Sequence, residues 1–328
     1  MRRHLLMTAS TLTAAVLILS GCGESGSSGT EAPASSAAGA GCAPAAGDTL
    51  VVLTDDKKLQ NTDNIIPAIN AKASSPEIIA ALDKVSAALD TAKLIELNKA
   101  VDIDRKSSKA AAQEFATANS LTTGIEKGPG GKITVGAANF SENSTLGELY
   151  GIVLSAAGYT VKVQQIGNRE LYEPALEKGQ ISVVPEYAAT LATFLSGKVD
   201  KNAKDPSSPD LNTTMTNLKA LGEKSGLVFG TPSAAQDQNA FAVTSEFATE
   251  HDLTTLSDLA ENCGGLVLAG PAECPERPFC QLGLEETYGI EFADFKSYDF
   301  GLIGQAVRQG EAAVGLVLSS DGSLAADS

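Results

Sequence analysis

Between residues 133 and 187 the apolar positions switch between two periods, and each switch marks an element. Residues 133–139 form an apolar run of strand length, residues 144–157 repeat apolar side chains at helical spacing up to Gly158, and residues 160–166 alternate. That order predicts a βαβ unit. Residues 170–178 then read as a helix ended by Gly179, and residues 181–187 as another strand. Further on, residues 240–243, 266–269 and 313–318 read as strands and residues 256–259 as part of a helix, which suggests a second α/β unit. Such alternation implies parallel sheets covered by helices. Nearer the N terminus, residues 50–53 form a short apolar strand. Ser75-Pro76 caps a helix whose Ile78, Leu82, Val85 and Leu89 share one face. No internal repeat is visible.

The composition adds limits. With 328 residues, 43% apolar and 20% charged, the chain is long enough for two globular domains with sizeable cores. Forty acids against 24 bases give a net charge of −16, which repels phosphate backbones and argues against nucleic-acid binding. The only histidines are His4 and His251, so a multi-histidine metal site is excluded. Arg2 and Arg3, an apolar run over residues 5–19 and then Leu19-Ser20-Gly21-Cys22 read as a signal peptide ending in a bacterial lipobox. The run falls short of the roughly 20 residues that span a bilayer. Residues 1–22 are thus expected to be a signal with Cys22 as the lipidated residue. Residues 23–47, rich in Gly, Ser, Ala and Pro, are expected to be a flexible tether.

Four cysteines remain beyond Cys22, an even number in an oxidising compartment, so two disulfides are expected. The short, proline-containing stretch between Cys274 and Cys280 favours pairing these two, leaving Cys42 for Cys263 by elimination. All three pairings remain open from sequence. Without CxxC spacing or histidine partners, zinc binding is the weaker reading.

Several motifs together resemble the substrate-binding proteins of quaternary-amine ABC importers, the receptors for glycine betaine, choline and related osmoprotectants. They are Val135-Gly-Ala-Ala-Asn-Phe-Ser-Glu142, Leu146-Gly-Glu-Leu149, Asn168-Arg-Glu170, Pro174-Ala-Leu-Glu-Lys-Gly179 and Pro185-Glu-Tyr-Ala-Ala-Thr190. Residues 254–259, Asp299-Phe-Gly301 and Ser320-Asp-Gly322 continue the match. The resemblance implies a type II periplasmic-binding-protein fold, with two α/β lobes around a ligand cleft. Residues 50–121, including Leu50-Val-Val-Leu-Thr-Asp-Asp-Lys57, Asn64-Ile-Ile-Pro67 and Leu94-Ile-Glu-Leu-Asn98, look like the piece that ordinarily ends these proteins, yet here they come first. The expectation is therefore a circularly permuted receptor. Lobe one covers residues 48–230, of which 48–121 match the usual C-terminal segment and 132–230 the usual N-terminal one. Lobe two covers 231–318, and 319–328 return to lobe one. On this reading residues 50–53 lie in the sheet of residues 133–135, Ser328 approaches Gly47 or Asp48, and only one crossing between the lobes is covalently continuous.

The resemblance also implies site residues. Of four positions that usually carry aromatic side chains around the quaternary ammonium, only Tyr187 is aromatic; Asn239, Leu318 and Asp63 occupy the others. Ala138 stands where a lysine often precedes the Asn-Phe pair. Phe140 and Phe241 could add aromatic faces, although core packing is the commoner role for both. The implied ligand set is Asp63, Asn139, Glu142, Tyr187, Thr190, Asn239 and Arg277, with Arg277 and Thr190 serving a ligand carboxylate and a cationic amine near Asp63 or Glu142.

Enzyme readings are weak. A serine hydrolase would need His251 as base, and it sits just before a predicted helix. Gly128-Pro-Gly-Gly131 lacks the ending of a phosphate loop and falls at a junction. The expected protein is a non-catalytic, cofactor-free and metal-free monomer. It is anchored outside the cell membrane and captures a small polar amine for a permease and ATPase. A sensor or adhesion module on the same fold is the alternative.

Overall fold

The computed structural model describes residues 40–325, so the expected signal peptide with Cys22, most of the tether and Ser328 lie outside the described residues. In chain order the elements begin with β1 (Ala40–Gly41), β2 (Leu50–Val52), β3 (Ile65–Asn70), α1 (Pro76–Ala88), α2 (Thr91–Asp102), α3 (Ser108–Ala118), β4 (Lys132–Ala138) and α4 (Ser141–Ala156). They continue with β5 (Thr160–Gly167), α5 (Arg169–Glu177), β6 (Val183–Tyr187), α6 (Ala188–Val199), α7 (Leu211–Ser225), β7 (Leu227–Phe229) and β8 (Asn239–Thr244). The last are α8 (Ser245–Glu250), α9 (Leu256–Asn262), β9 (Cys263–Gly264), β10 (Leu266–Gly270), α10 (Gln281–Tyr288), β11 (Phe292–Ser297), α11 (Phe300–Arg308) and β12 (Val314–Leu318).

Local chemistry explains where these elements start and stop. The Ser75 side chain accepts from the Ile78 amide at the start of α1, and Pro76 fills a first-turn position whose missing N–H costs nothing. The predicted face of α1 is the buried one: Ile78, Leu82, Val85 and Leu89 are each at most 3% exposed. Gly158, with φ of +94°, turns the chain from α4 into β5, and the two strands flanking α4 pair in parallel as the βαβ reading requires.

Two five-stranded sheets result, ordered β5-β4-β6-β3-β7 and β11-β10-β12-β8-β2. Within each, strands joined by helical crossovers are parallel: β4 with β5 and β6, β10 with β11 and β12. The strand that arrives from the other sheet runs the opposite way, β3 against β6 and β8 against β12. This is the expected two-lobed α/β fold. In lobe one, Ile78, Leu82, Val85 and Leu94 share a core with Val135, Leu146 and Leu149, so residues 65–121 have no separate core. The opposite face packs Leu191, Leu195 and Leu218 against Ile66 and Val184. Lobe two is built on Phe241, Val243, Phe247, Leu256 and Leu268. Strand β3 contains Pro67, which argues against a central strand; it stands directly opposite Pro185 of β6, so both missing amides fall on one rung of the ladder.

Two expectations are corrected. Strand β2 joins the second sheet rather than the first, pairing Leu50 with Thr244 and Val52 with Ala242. Leu50 packs with Ala240, Ala242 and Val317, an apolar slot beside β8 that the first sheet does not offer. Residues 48–60 thus belong with lobe two, and lobe one starts at β3. Both passages between the lobes are also continuous, not one. They run side by side, with the Asp237 amide donating to Asp63 O and the Ile65 amide to Ala235 O, each at 3.1 Å. The segment after β12 joins them through the Ser319 amide to Gln238 O at 2.8 Å, and its Leu324 packs on the cluster around Leu50. Arg308 holds this segment to the start of β2, donating to Asp48 O at 2.9 Å and Ser323 O at 2.6 Å.

The disulfides are Cys42–Cys263 and Cys274–Cys280. The first fixes β1 alongside β9, with Ala40 in register with Cys263. Its sequence separation of 221, against 6 for the second, predicts unequal effects on an unfolded chain. Replacing Cys42 and Cys263 by serine should lower unfolding free energy in urea by about 5 kcal/mol, and replacing Cys274 and Cys280 by about 2 kcal/mol. Equal losses would contradict the loop-closure account.

Candidate functional site

A cavity of about 590 Å³ lies between the lobes, lined by Tyr187, Phe140 and Arg169 from lobe one, by Asn239 and Phe279 from lobe two, and by Asp63 and Asp237 from the crossings. Its geometry starts at α6. Strand β6 runs straight into this helix, and Tyr187 at the junction supplies no side-chain cap. Asp63 does so from the crossing segment: its Oδ1 accepts from the Ala189 and Thr190 amides at 2.8 and 3.1 Å. A carboxylate is favoured at a helix N-terminus, but burial disfavours its charge and raises the Asp63 pKa to about 7, against the opposing Thr190 amide bond and Arg169 charge.

Tyr187 is buried, its ring stacked on Phe140 with centroids 6.2 Å apart. Phe140 is 44% exposed and faces the cavity, whereas Phe241 is a core residue. The Tyr187 hydroxyl donates to Glu142 Oε1 at 2.6 Å, and Asn98 Nδ2 donates to Glu142 Oε2 at 2.6 Å. Glu142 therefore stands behind the tyrosine, in a second cavity of about 570 Å³ that also reaches Asp237 and Arg308.

Of the seven residues inferred from sequence, Asp63, Asn139, Tyr187, Thr190 and Asn239 line the cleft, and Leu318 does as well. Glu142 reaches it only through the Tyr187 hydroxyl. Arg277 does not reach it: its amide closes the 3-10 turn Cys274–Glu276, and its side chain lines a neighbouring cavity of about 400 Å³. The guanidinium in the cleft is that of Arg169, whose Nε and Nη2 donate to Glu186 at 3.0 and 2.8 Å and whose Nη2 also reaches Thr190 Oγ1 at 2.9 Å. Arg169 was visible in the Asn168-Arg-Glu170 motif. Phe279 was not, because it belongs to an aperiodic loop. Its carbonyl accepts from Gln60 Nε2 at 3.0 Å and Asn239 Nδ2 at 3.3 Å, which pins the disulfide loop at the cleft. Cys42 and Cys263 lie beside His251, but both sulfurs are spent in the disulfide, leaving no thiolate for a metal.

The chain is similar in sequence to known proteins. The profile of the substrate binding domain of ABC-type glycine betaine transport systems matches residues 44–118 and 131–327. The glycine betaine-binding protein YehZ of Escherichia coli is 28% identical over 164 residues, covering 48% of this chain and 52% of that protein. A glycine-betaine-binding protein of Pseudomonas aeruginosa is 27% identical over 203 residues, covering 58% and 63%. The chain thus spans about half to just under two thirds of the curated relatives it matches. The crystal structure of a glycine betaine/carnitine/choline ABC transporter aligns at a TM-score of 0.47 and 20% identity, over 59% of this chain and 70% of that one.

Three carboxyls, buried Asp63 and Glu142 and half-buried Asp237, lie near the crossings, and among the described residues none of them forms an ion pair. Burial raises Glu142 and the charge of Asp237 raises it further; Asp237 is raised by burial, then by Asp63 and Asp321. Unfolded carboxyls titrate near pH 4. The folded groups titrate higher, so their contribution to stability is fully present below about pH 4 and is lost as pH rises towards about 7. Asp237→Asn retains an acceptor for the Ser320 hydroxyl, which donates to Oδ1 at 2.8 Å. Relative to wild type, its Tm in scanning calorimetry should rise progressively from about pH 4 to about pH 7. Parallel profiles would contradict this.

Proposed function

This chain belongs to the family of substrate-binding domains of ABC-type glycine betaine transport systems, and we propose that it captures a small cationic or zwitterionic amine in the interlobe cleft and delivers it to a permease and ATPase. The observation that carries this reading is the cleft itself: the Tyr187 and Phe140 rings on one side, Phe279 on the other, and Asp63 and Asp237 between them. A quaternary ammonium has no N–H donor, so ring faces and negative potential are what can hold it. No step of catalysis belongs to this role. The protein works outside the cytoplasm as a monomer, held to the membrane by a lipid on Cys22, a residue beyond the described ones.

The chain order is a circular permutation. Support comes from residues 48–121 preceding β4 yet supplying a strand to each sheet, and from Arg308 holding Asp48 and Ser323 together. A re-ordered chain that starts at Lys132, joins Ala325 to Ala40 through a Gly/Ser linker and ends at Leu121 should keep its Tm within about 5 °C. Failure to fold would contradict the permutation but leave the receptor role untouched.

The role is tested by thermal shift against glycine betaine, choline, carnitine and amino acids. A ligand at 100 times its Kd should add about 2.7 kcal/mol of stability. Tyr187→Ala should weaken the tightest amine about 3- to 30-fold, while Tyr187→Phe, which keeps the ring and loses only the bond to Glu142, should bind nearly as wild type. If no amine stabilises the protein, or Tyr187→Ala leaves affinity unchanged, the cleft assignment is wrong.

A further inference from the structure

The loop over residues 319–325 leaves lobe two at the end of β12, touches lobe one and returns. Its first residues are tied to the crossing. The Ser319 hydroxyl donates to Gln236 O at 2.9 Å and accepts from the Gln238 amide at 3.1 Å, and the Ser320 hydroxyl donates to Asp237 Oδ1 at 2.8 Å. Its last residues belong to lobe two, where Arg308 Nη2 donates to Ser323 O and Leu324 packs with Leu50 and Val317. Between these ends the 3-10 turn Gly322–Leu324 lies on α2 of lobe one. Among the described residues this is the most extensive meeting of an element from one lobe with an element from the other. The approach is backbone to backbone: a Cβ on Gly322 would stand 2.5 Å from the Lys99 amide nitrogen and 2.8 Å from the Asn98 carbonyl carbon, so space alone requires glycine. Asn98 completes the contact. It is 5% exposed in a helix whose other buried residues are Leu94 and Leu97, and its Nδ2 donates both to Glu142 Oε2 at 2.6 Å and to Ser320 O at 2.8 Å.

We infer that this loop is a strap that sets the angle between the lobes, with Asn98 as its positioning residue on lobe one. Two crossings that run side by side define a hinge and permit rotation about it, so the angle is fixed by whatever else bridges the lobes. On the strap's side the lobes otherwise stand apart across the cavity of about 570 Å³, with Ile103 of lobe one and Phe300 and Gly304 of lobe two among its walls. The strap therefore carries the contact there. A buried amide with both hydrogens placed, beside a glycine that admits no side chain, gives that contact one geometry. Asn98, Ser320 and Gly322 do not line the cleft, yet through the strap they set how far Phe279 of lobe two stands from Tyr187 and Phe140 of lobe one. Cleft width is thus governed from outside the ligand site. The inference concerns the protein without ligand and does not depend on which solute the cleft takes.

The test is the relative orientation of the lobes in the ligand-free full chain, read from NMR residual dipolar couplings of wild type, Asn98→Ala, Gly322→Ala and the double variant. Asn98→Ala removes the bond to Ser320 O, and Gly322→Ala forces the loop off the α2 backbone. Each single variant should turn lobe two against lobe one by about 10° or more, while the couplings within each lobe stay as in wild type. Because both changes act on one contact, the double variant should turn no further than the larger single change. A contact that only stabilised the fold would lower the Tm and leave the orientation where it was. Wild-type orientation in either single variant that folds therefore overturns the inference, as does a double-variant rotation equal to the sum of the two. If one variant does not fold, the orientation in the other decides.

Discussion

The bond from Asp63 to the first turn of α6 is the constraint on which the cleft depends. A buried carboxylate in the passage between the lobes satisfies two helix amides that Tyr187, at the junction, leaves without a cap. The helix end offsets part of the cost of burying the charge, and the charge in turn holds the helix to the crossing. From that one attachment follow the positions of Tyr187 just before the helix and of Thr190 and Thr193 on it. Arg169 is drawn in through Thr190 and Glu186.

The electrostatics of the cleft follow from what is left over. The Arg169 charge is largely answered by Glu186, which is itself 1% exposed and also accepts from the Tyr172 hydroxyl. Among the described residues Asp63 and Asp237 form no ion pair, so both carboxyls remain open to pairing with a cation in the cavity. Phe140 and Phe279 face it from opposite lobes, 44% and 38% exposed.

Much of the fold could be read in advance where a period was present. The βαβ unit from β4 to β5 and the Ser75-Pro76 start of α1 came from spacing and capping alone. Strand β3 was hidden by Pro67, whose tolerance depends on meeting Pro185, a partner more than a hundred residues away in sequence. The sheet of β2 was misassigned because a three-residue strand carries too little pattern to name its neighbour; the slot beside Ala240 and Val317 decides it. In the site, Asp63, Tyr187, Asn239 and Leu318, all named by the motif alignment, line one cavity. Arg277 lines a neighbouring cavity instead and Phe279 joins the cleft without having been named, because loop residues take their direction from hydrogen bonds such as Gln60 to Phe279 O, and these have no signature along the chain.

The central claim is that one ligand is held by both lobes at the α6 turn. Hydrogen–deuterium exchange with and without the tightest-binding amine tests it most directly, since backbone protection reports where the ligand orders the protein. The account predicts slower exchange in three stretches together: residues 60–64, residues 187–193 and residues 277–281. Protection confined to one lobe, or centred on the cavity behind Tyr187 with residues 187–193 unchanged, would contradict it.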